Sequence, residues 1–284
     1  MKIPRDRDEA VLTAGGHTVK LTNLRKVFWP EDGFTKGDLL QYYADLAPVI
    51  LPHLQNRAMV MKRYPHGISG EFFFMKRTPS PRPEWLRTCS IEHASGNIID
   101  FPVIQDLAAV LWVVNLGCID LNPWYARCDD IDRPDYLHFD LDPVEGASFA
   151  KVCDAALAIH ETLDAMKIPN YAKTTGSSGI HVYVPIIREP LQKEVWTFAK
   201  SLAKELASKQ PKLITAEYRI AKRPRAACWW ITTRMHGAAP WLQFIRSGPN
   251  RALLSPRRSP GMRLRREFEW KISVWTMSAS AFPR

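Results

Sequence analysis

The chain has 284 residues, 46% of them hydrophobic and 24% charged, which is enough for one large domain or two small ones. That composition excludes a disordered or collagen-like protein, and no apolar run approaches the roughly 18 to 20 residues that a membrane helix needs. A formal charge of +10 invites a nucleic-acid partner.

The opening MKIPRDRDEAVLTAGG is charged where a secretory signal would be apolar, so a cytoplasmic location is expected. Five cysteines (Cys89, Cys118, Cys128, Cys153, Cys228) are scattered without any C-x-x-C pair. They read as reduced thiols rather than a disulfide framework or zinc site. The basic excess is local: the 59 residues from Ala226 to Arg284 hold nine Arg and one Lys against two Glu and no Asp, carrying +8 of the +10. The same stretch contains five of the ten Trp, and most of it follows neither helical nor strand periodicity.

In chain order, residues 17–30 alternate loosely as a strand that stops at Pro30, and E31-D-G33 marks a turn. Thr35 and Asp38 are spaced as a capping box, and Leu39, Leu40, Tyr43, Leu46 and Ile50 recur at helical spacing, so a helix is predicted to about Leu51. Residues 58–64 and 71–76 read as two strands joined by PHGISG. Helical character returns over about Val103 to Leu116. Residues 136–141 form a short strand ending at Asp142-Pro143, because proline terminates pairing. An amphipathic helix follows over 148–166, then a strand, a Gly/Ser turn, a strand of Val182, Val184 and Ile186, and a helix from Pro190 to about Lys209. This alternation predicts a layered α/β (α+β) domain.

Asp140 and Asp142 are two apart in a predicted strand, which places both carboxylates on one face at the strand's end. Such a pair suits Mg²⁺ or Mn²⁺, the hard cations that clamp the oxygens of a phosphoryl transfer; the alternative is a turn with two solvated aspartates. In T-T-G-S-S-G-I-H, residues 174–181, Gly176 and Gly179 permit a nest of N–H groups for phosphate oxygens. Thr175, Ser177 and Ser178 add hydroxyls there, and His181 can bind phosphate or assist proton transfer. A plain Gly/Ser hairpin is the competing reading. Lys62, Arg63, Phe73, Phe74 and Lys76 set cations beside aromatics on paired strands, a pattern for holding a nucleotide, although half of such Phe must point into a core.

In this order, the blocks LTNLRKVFWPEDGFTKGDLLQYY, LPHLQNRAMVMKRYPHGISGEFFFMK, NLGCIDLNPW, PDYLHFDLDP, KTTGSSGIHVYVP and ITAEYRIAKRPR resemble the polymerase domain of bacterial DNA ligase D and its stand-alone relatives, in the archaeo-eukaryotic primase superfamily. The resemblance runs from about Leu21 to Arg225. It implies a primase-type catalytic core of mixed sheets flanked by helices over residues 1–225. Further implications are metal ligation by Asp140 and Asp142, with His181 in the catalytic set, and triphosphate binding by the loop of Thr175, Gly176, Ser177 and Ser178. By the same resemblance Asn23, Lys26 and Lys36 grip the 5′-phosphate of a DNA end, while Lys62, Arg63, Phe73, Phe74 and Arg223 contact nucleotide or template. The implied activity is template-directed nucleotidyl transfer at double-stranded DNA ends in non-homologous end joining, using nucleoside triphosphates and Mn²⁺ or Mg²⁺, alongside Ku and an ATP-dependent ligase. Ser178 stands where many relatives have Lys, and Asn122 where some have His.

One expected element is missing. The resemblance calls for a third aspartate soon after AKRPR, in a run such as Val-Asp-Tyr-Asn-Gln-Asn, yet the chain reads AACWWITTRMHGAAPW and has no Asp after Arg225. Joining the third base of each codon to the first two of the next makes Trp229–Trp230 spell GTG (Val), Trp230–Ile231 GAT (Asp) and Met235–His236 GCA (Ala). The intervening codons permit Tyr-Asn-Gln-Asn, and Trp-Gly follows. Residues 226–284 are therefore predicted to be translated out of frame and poorly structured; a genuine basic DNA-binding tail is the alternative. Activity would then be impaired, leaving a non-catalytic module that binds 5′-phosphorylated ends. A D-x-D phosphatase is a further alternative, one that needs no pair of stacking Phe.

Overall fold

The computed structural model describes residues 1–93, 95–176 and 178–217, together with the backbone of Cys228–Thr232. The N-terminal half opens with the hairpin β1 (Ala10–Ala14) and β2 (His17–Leu21), then β3 (Val27–Trp29) and β4 (Phe34–Thr35). The predicted strand over 17–30 is thus two strands, because Asn23 takes a positive φ of 56° and turns the chain between them. The helix α1 (Lys36–Leu54) starts on the predicted capping box: Thr35 Oγ1 accepts from the Asp38 N–H, and the Asp38 carboxylate accepts from the Thr35 N–H.

The strands β5 (Met59–Arg63) and β6 (Phe73–Met75) are the two read at 58–64 and 71–76. The pair β7 (Thr88–Glu92) and β8 (Ile98–Pro102) follows, then α2 (Leu107–Asn115) and β9 (Cys118–Pro123). Helical periodicity from Val103 overreached, since the Asp106 side chain caps the N-terminus and sets the true start. The order β6-β5-β9 makes a three-stranded antiparallel sheet. Its apolar residues Met59, Met61, Ile119 and Leu121 join α1 and α2 in one buried core.

The second half holds β10 (Ala126–Arg127), β11 (Asp130–Pro134), β12 (Tyr136–Pro143), α3 (Phe149–Ala165), β13 (Tyr171–Thr174), β14 (Ile180–Pro185), α4 (Gln192–Lys209), β15 (Ile214–Thr215) and β16 (Cys228–Thr232). Five strands form a sheet in the order β13-β14-β12-β16-β15. As expected, β12 ends at Pro143, which stands opposite Cys228 as the last residue of the ladder, the terminal position where a missing N–H costs least. Leu137, Phe139, Leu141, Ile180, Val182 and Val184 turn one face toward α3 and α4 and are buried there. The period-2 alternation leaves His138, Asp140, His181 and Tyr183 on the opposite face.

Cys228–Thr232 lies inside the segment predicted to stand outside the fold, yet its backbone pairs with β12 on one edge and β15 on the other. The rest of 226–284, and with it most of the predicted out-of-frame tail, lies outside the described residues, as do Arg223 and Ser177.

Candidate nucleotidyl-transfer site

The polar face of the five-stranded sheet carries the predicted acidic pair. Asp140 is the register partner of His181, which in turn is the partner of Lys173, so the three side chains form one row across β12, β14 and β13. Asp140 Oδ1 stands 3.2 Å from His181 Nε2, and His181 Nδ1 is 3.3 Å from the Tyr183 hydroxyl. Behind them, the His138 ring stacks on His181 at 4.5 Å and 17° and is hydrogen-bonded to the Tyr125 hydroxyl at 3.0 Å. Burial holds the His138 imidazole neutral, well below its usual pKa, and the neighbouring His181 pushes the same way.

The predicted phosphate bend closes on itself beside these residues. Thr175 N–H donates to the Gly179 carbonyl at 3.0 Å, and the Gly179 N–H donates to Thr175 Oγ1 at 3.1 Å. Gly176 takes a φ of +79°, a conformation that favours glycine. At Gly179 the constraint is space. A Cβ there would sit 2.6 Å from the Leu141 carbonyl oxygen and 2.8 Å from Asp142 Oδ1, so the bend lies directly against the second carboxylate. Thr175 is buried with its hydroxyl engaged in this closure, whereas Ser178 is exposed.

Asp140, Asp142, His181, Thr175, Gly176 and Ser178 are thus brought together. Lys173 went unpredicted; the alternation K173-x-T-x… does not single it out, and only the ladder puts it beside His181. Its ammonium lies 6.0 Å from the Tyr183 ring centroid. Burial lowers its pKa to about 8, against the pull of Asp140.

Asp140 and Asp142 project from one face of β12, the first against His181 and the second against the bend, and such a carboxylate pair is a donor set that fits a divalent cation. Among the described residues, however, no group of three or more His, Cys, Asp or Glu is arranged to hold a metal ion. The pair fits such a cation as an incomplete site.

The second predicted group splits in two. Lys62 is only 4% exposed: its ammonium stands 3.3 Å from Asp120 Oδ2 inside a cage of Phe72 (4.1 Å), Tyr64 (5.1 Å) and Phe74 (5.9 Å). Arg63 points elsewhere, its Nε donating to the Leu116 carbonyl at 2.7 Å and its guanidinium lying 5.2 Å from the Phe73 ring. Phe73 is 44% exposed while Phe74 packs into a small core with Val60, Phe101 and Trp124, which is the alternation expected of strand neighbours. Asn122 is buried, and its Oδ1 has no hydrogen-bond partner among the described residues.

The third group is a basic corner. Lys36 opens α1, 4% exposed, with Nζ donating to the Thr22 carbonyl at 2.6 Å. Lys26 Nζ donates to the Pro65 carbonyl at 2.8 Å. Burial brings the Lys36 pKa down to about 8, and the nearby charges of Lys26 and Arg63 add to the depression, opposed by Asp8. The left-handed Asn23 lies in the same turn.

The family model described as LigD, primase-polymerase domain matches residues 35–227, well over half of the chain. The chain belongs to the LigD primase-polymerase domain family. The multifunctional non-homologous end joining protein LigD of Mycolicibacterium smegmatis is 34% identical over 200 residues, which cover 70% of this chain and 26% of that protein. The bifunctional protein of that name from Bacillus subtilis is 30% identical over 209 residues, covering 72% and 33%. This LigD-type chain therefore spans about a quarter to a third of its curated relatives. The polymerase domain of Mycobacterium tuberculosis ligase D, solved in complex with DNA, matches with a TM-score of 0.72 and 27% identity over 78% of this chain and 79% of that one. The primase-type α/β core expected from the sequence is therefore the fold, and no helix among the described residues is long and apolar enough to cross a membrane.

Proposed function

We propose that this chain descends from a template-directed nucleotidyl transferase that extends DNA ends in non-homologous end joining, and that its catalytic step is impaired as the sequence stands. One observation carries the reading: the bend 175–179 closes against Asp142 while Asp140 meets His181. Asp140 and Asp142 are the residues that would hold Mn²⁺ or Mg²⁺, which when bound supplies Lewis-acid stabilisation of a transferring phosphoryl group. His181 orients Asp140. Thr175 shapes the bend, and the bend's remaining N–H groups, with the Ser177 and Ser178 hydroxyls, donate to the oxygens of a nucleoside triphosphate. Phe73, Arg63 and Arg223 hold nucleotide and template, while Lys62 and Phe74, enclosed against Asp120 and the core of Phe101 and Trp124, support that surface. Ku and an ATP-dependent ligase are the expected partners, in keeping with the end-joining names of the relatives.

The impairment follows from the third carboxylate. Backbone register sets residue 231 opposite Asp140 and residue 230 opposite Leu141. When one inserted nucleotide restores the shifted frame, the Asp spelled across codons 230 and 231 takes position 231, the register partner of Asp140. This supports a shifted frame from about Ala226 rather than a functional basic tail. Loss of a metal ligand costs orders of magnitude in rate.

Primer extension with Mn²⁺ and nucleoside triphosphates, on a template–primer whose recessed 3′ end faces a gap bounded by a 5′-phosphate, tests both parts. The chain as written is expected to add no nucleotide above background, and the frame-restored chain to extend the primer. Robust extension by the former would overturn the impairment; none by the latter would overturn the polymerase assignment.

The basic corner favours a second activity that survives the first. With Lys26 and Arg63 both near Lys36, the chain retains binding to 5′-phosphorylated ends. A salt-sensitive preference for 5′-phosphate over 5′-hydroxyl duplexes, without extension, is the expected signature.

A further inference from the structure

Cys89 is the second residue of β7, and Cys128 lies in the turn between β10 and β11. Although 39 positions apart, both side chains pack in the one small core of Val60, Phe101 and Trp124, near enough for each thiol to shift the other's titration. An independent scaffold brings them together. The Cys128 N–H donates to the Asn56 carbonyl at 2.7 Å, while Asn56 Oδ1 accepts from Arg87 Nη1 at 2.7 Å and from Gln105 Nε2 at 2.8 Å. Arg87 precedes Cys89 by two residues, so Asn56 ties the β10–β11 turn to the start of β7.

Both thiols are free. Cys89 is 7% exposed, and Cys128 is partly exposed and reachable from solvent. The chemistry of the pair is asymmetric. The neighbouring Cys128 thiol lowers the Cys89 pKa, and the Arg87 guanidinium lowers it further against the effect of burial. Cys89 in turn, together with burial, raises the Cys128 thiol. Cys89 is thus the more acidic and Cys128 the less acidic thiol of the two. The remaining described cysteines differ: Cys118 is wholly buried, and Cys153 lies on α3 against the other core.

We propose that Cys89 and Cys128 are a dithiol–disulfide pair, a modification site that closes when the protein meets a peroxide. The Cys89 thiolate attacks one peroxide oxygen. The O–O bond breaks, hydroxide leaves and is protonated to water, and Cys89 becomes a sulfenic acid. The Cys128 sulfur then attacks the Cys89 sulfur; the S–S bond forms, the S–O bond breaks, and a second water departs with the Cys128 proton. Both sulfurs are oxidised and the peroxide is reduced to two waters. The bond ties the β7–β8 hairpin to the β10–β11 hairpin, across the same core in which Phe74 packs.

The full chain treated with hydrogen peroxide, alkylated and digested without reductant tests this. The expected result is a linked peptide pair containing Cys89 and Cys128, lighter by two hydrogen atoms. A reductant-reversible rise in Tm on the order of 5–10 °C should accompany it, because the bond closes a long loop in the unfolded chain. In Cys128→Ser the link disappears and dimedone labels Cys89 as the sulfenic acid; Cys153→Ser leaves the link intact. Circular dichroism of each variant confirms that it folds. Peroxide that oxidises Cys128 or Cys153 while Cys89 stays reduced, or a dominant link between other cysteines, would overturn the proposal.

Discussion

Asp140 and His181 face each other across two antiparallel strands, Nε2 of the imidazole 3.2 Å from Oδ1 of the carboxylate. The contact is held from behind by the stacked His138 ring and from the side by the Tyr183 hydroxyl. A histidine that supports a ligating carboxylate in this way fixes the direction of its lone pairs, and losing such support costs about 10- to 100-fold in metal affinity or activity. His181→Gln in the frame-restored chain is therefore expected to slow single-turnover nucleotide addition by about that factor. Its Mn²⁺ affinity, followed by electron paramagnetic resonance, should weaken in parallel; unchanged rate and affinity would remove His181 from the site.

Gly179 admits no side chain. Because a Cβ would meet the Leu141 carbonyl at 2.6 Å, backbone atoms must move. Gly179→Ala is expected to destabilise the fold by about 1–3 kcal/mol, the usual cost of overpacking, seen as a lower urea midpoint. Ser178→Ala, at an exposed neighbour, should leave that midpoint within about 0.5 kcal/mol of the parent.

Lys36 charges only below about pH 8, since burial and the neighbouring cations depress it. Its preference for a 5′-phosphorylated end over a 5′-hydroxyl end is expected to be full at pH 7 and to decline as pH rises past that value. Fluorescence anisotropy with the two duplexes measures the ratio. Lys36→Met should flatten the pH profile and reduce the salt slope by about one ion.

Asp135 is held by two arginines, Arg57 at 2.7 Å and Arg127 at 2.8 Å. Burial raises its pKa, but the hydrogen bonds and charges of these arginines outweigh it and leave the carboxyl below its ordinary value. Because the folded pKa is depressed, the pair contributes stability above the unfolded value near 4 and loses it as pH falls through the folded one. Asp135→Asn leaves the buried Arg57 without its counter-charge and is expected to cost about 3 kcal/mol at pH 7. That deficit should shrink in acid urea titrations; a constant deficit would mean that the charge is not what stabilises the fold.

Local patterns were sufficient for much of this molecule. The capping box at Thr35 and Asp38, the alternation through 136–141, and the Gly/Ser bend before His181 each depend on residues within a few positions of one another. Backbone sterics and side-chain period therefore read them directly. The two-residue spacing of Asp140 and Asp142 likewise assigned both to one face before any fold was known.

Pairing between distant strands decided the rest. Lys173 joins the row of Asp140 and His181 only through the ladder β13-β14-β12. Lys62, which looked like a free cation beside aromatics, is enclosed because β5 lies between β6 and β9, bringing Phe74 and Asp120 to either side of it. The same long-range closure set Cys89 beside Cys128 and put residue 231 opposite Asp140. A chain's periodicity specifies which face a side chain takes; which other segment meets that face is selected by burying both against a common core.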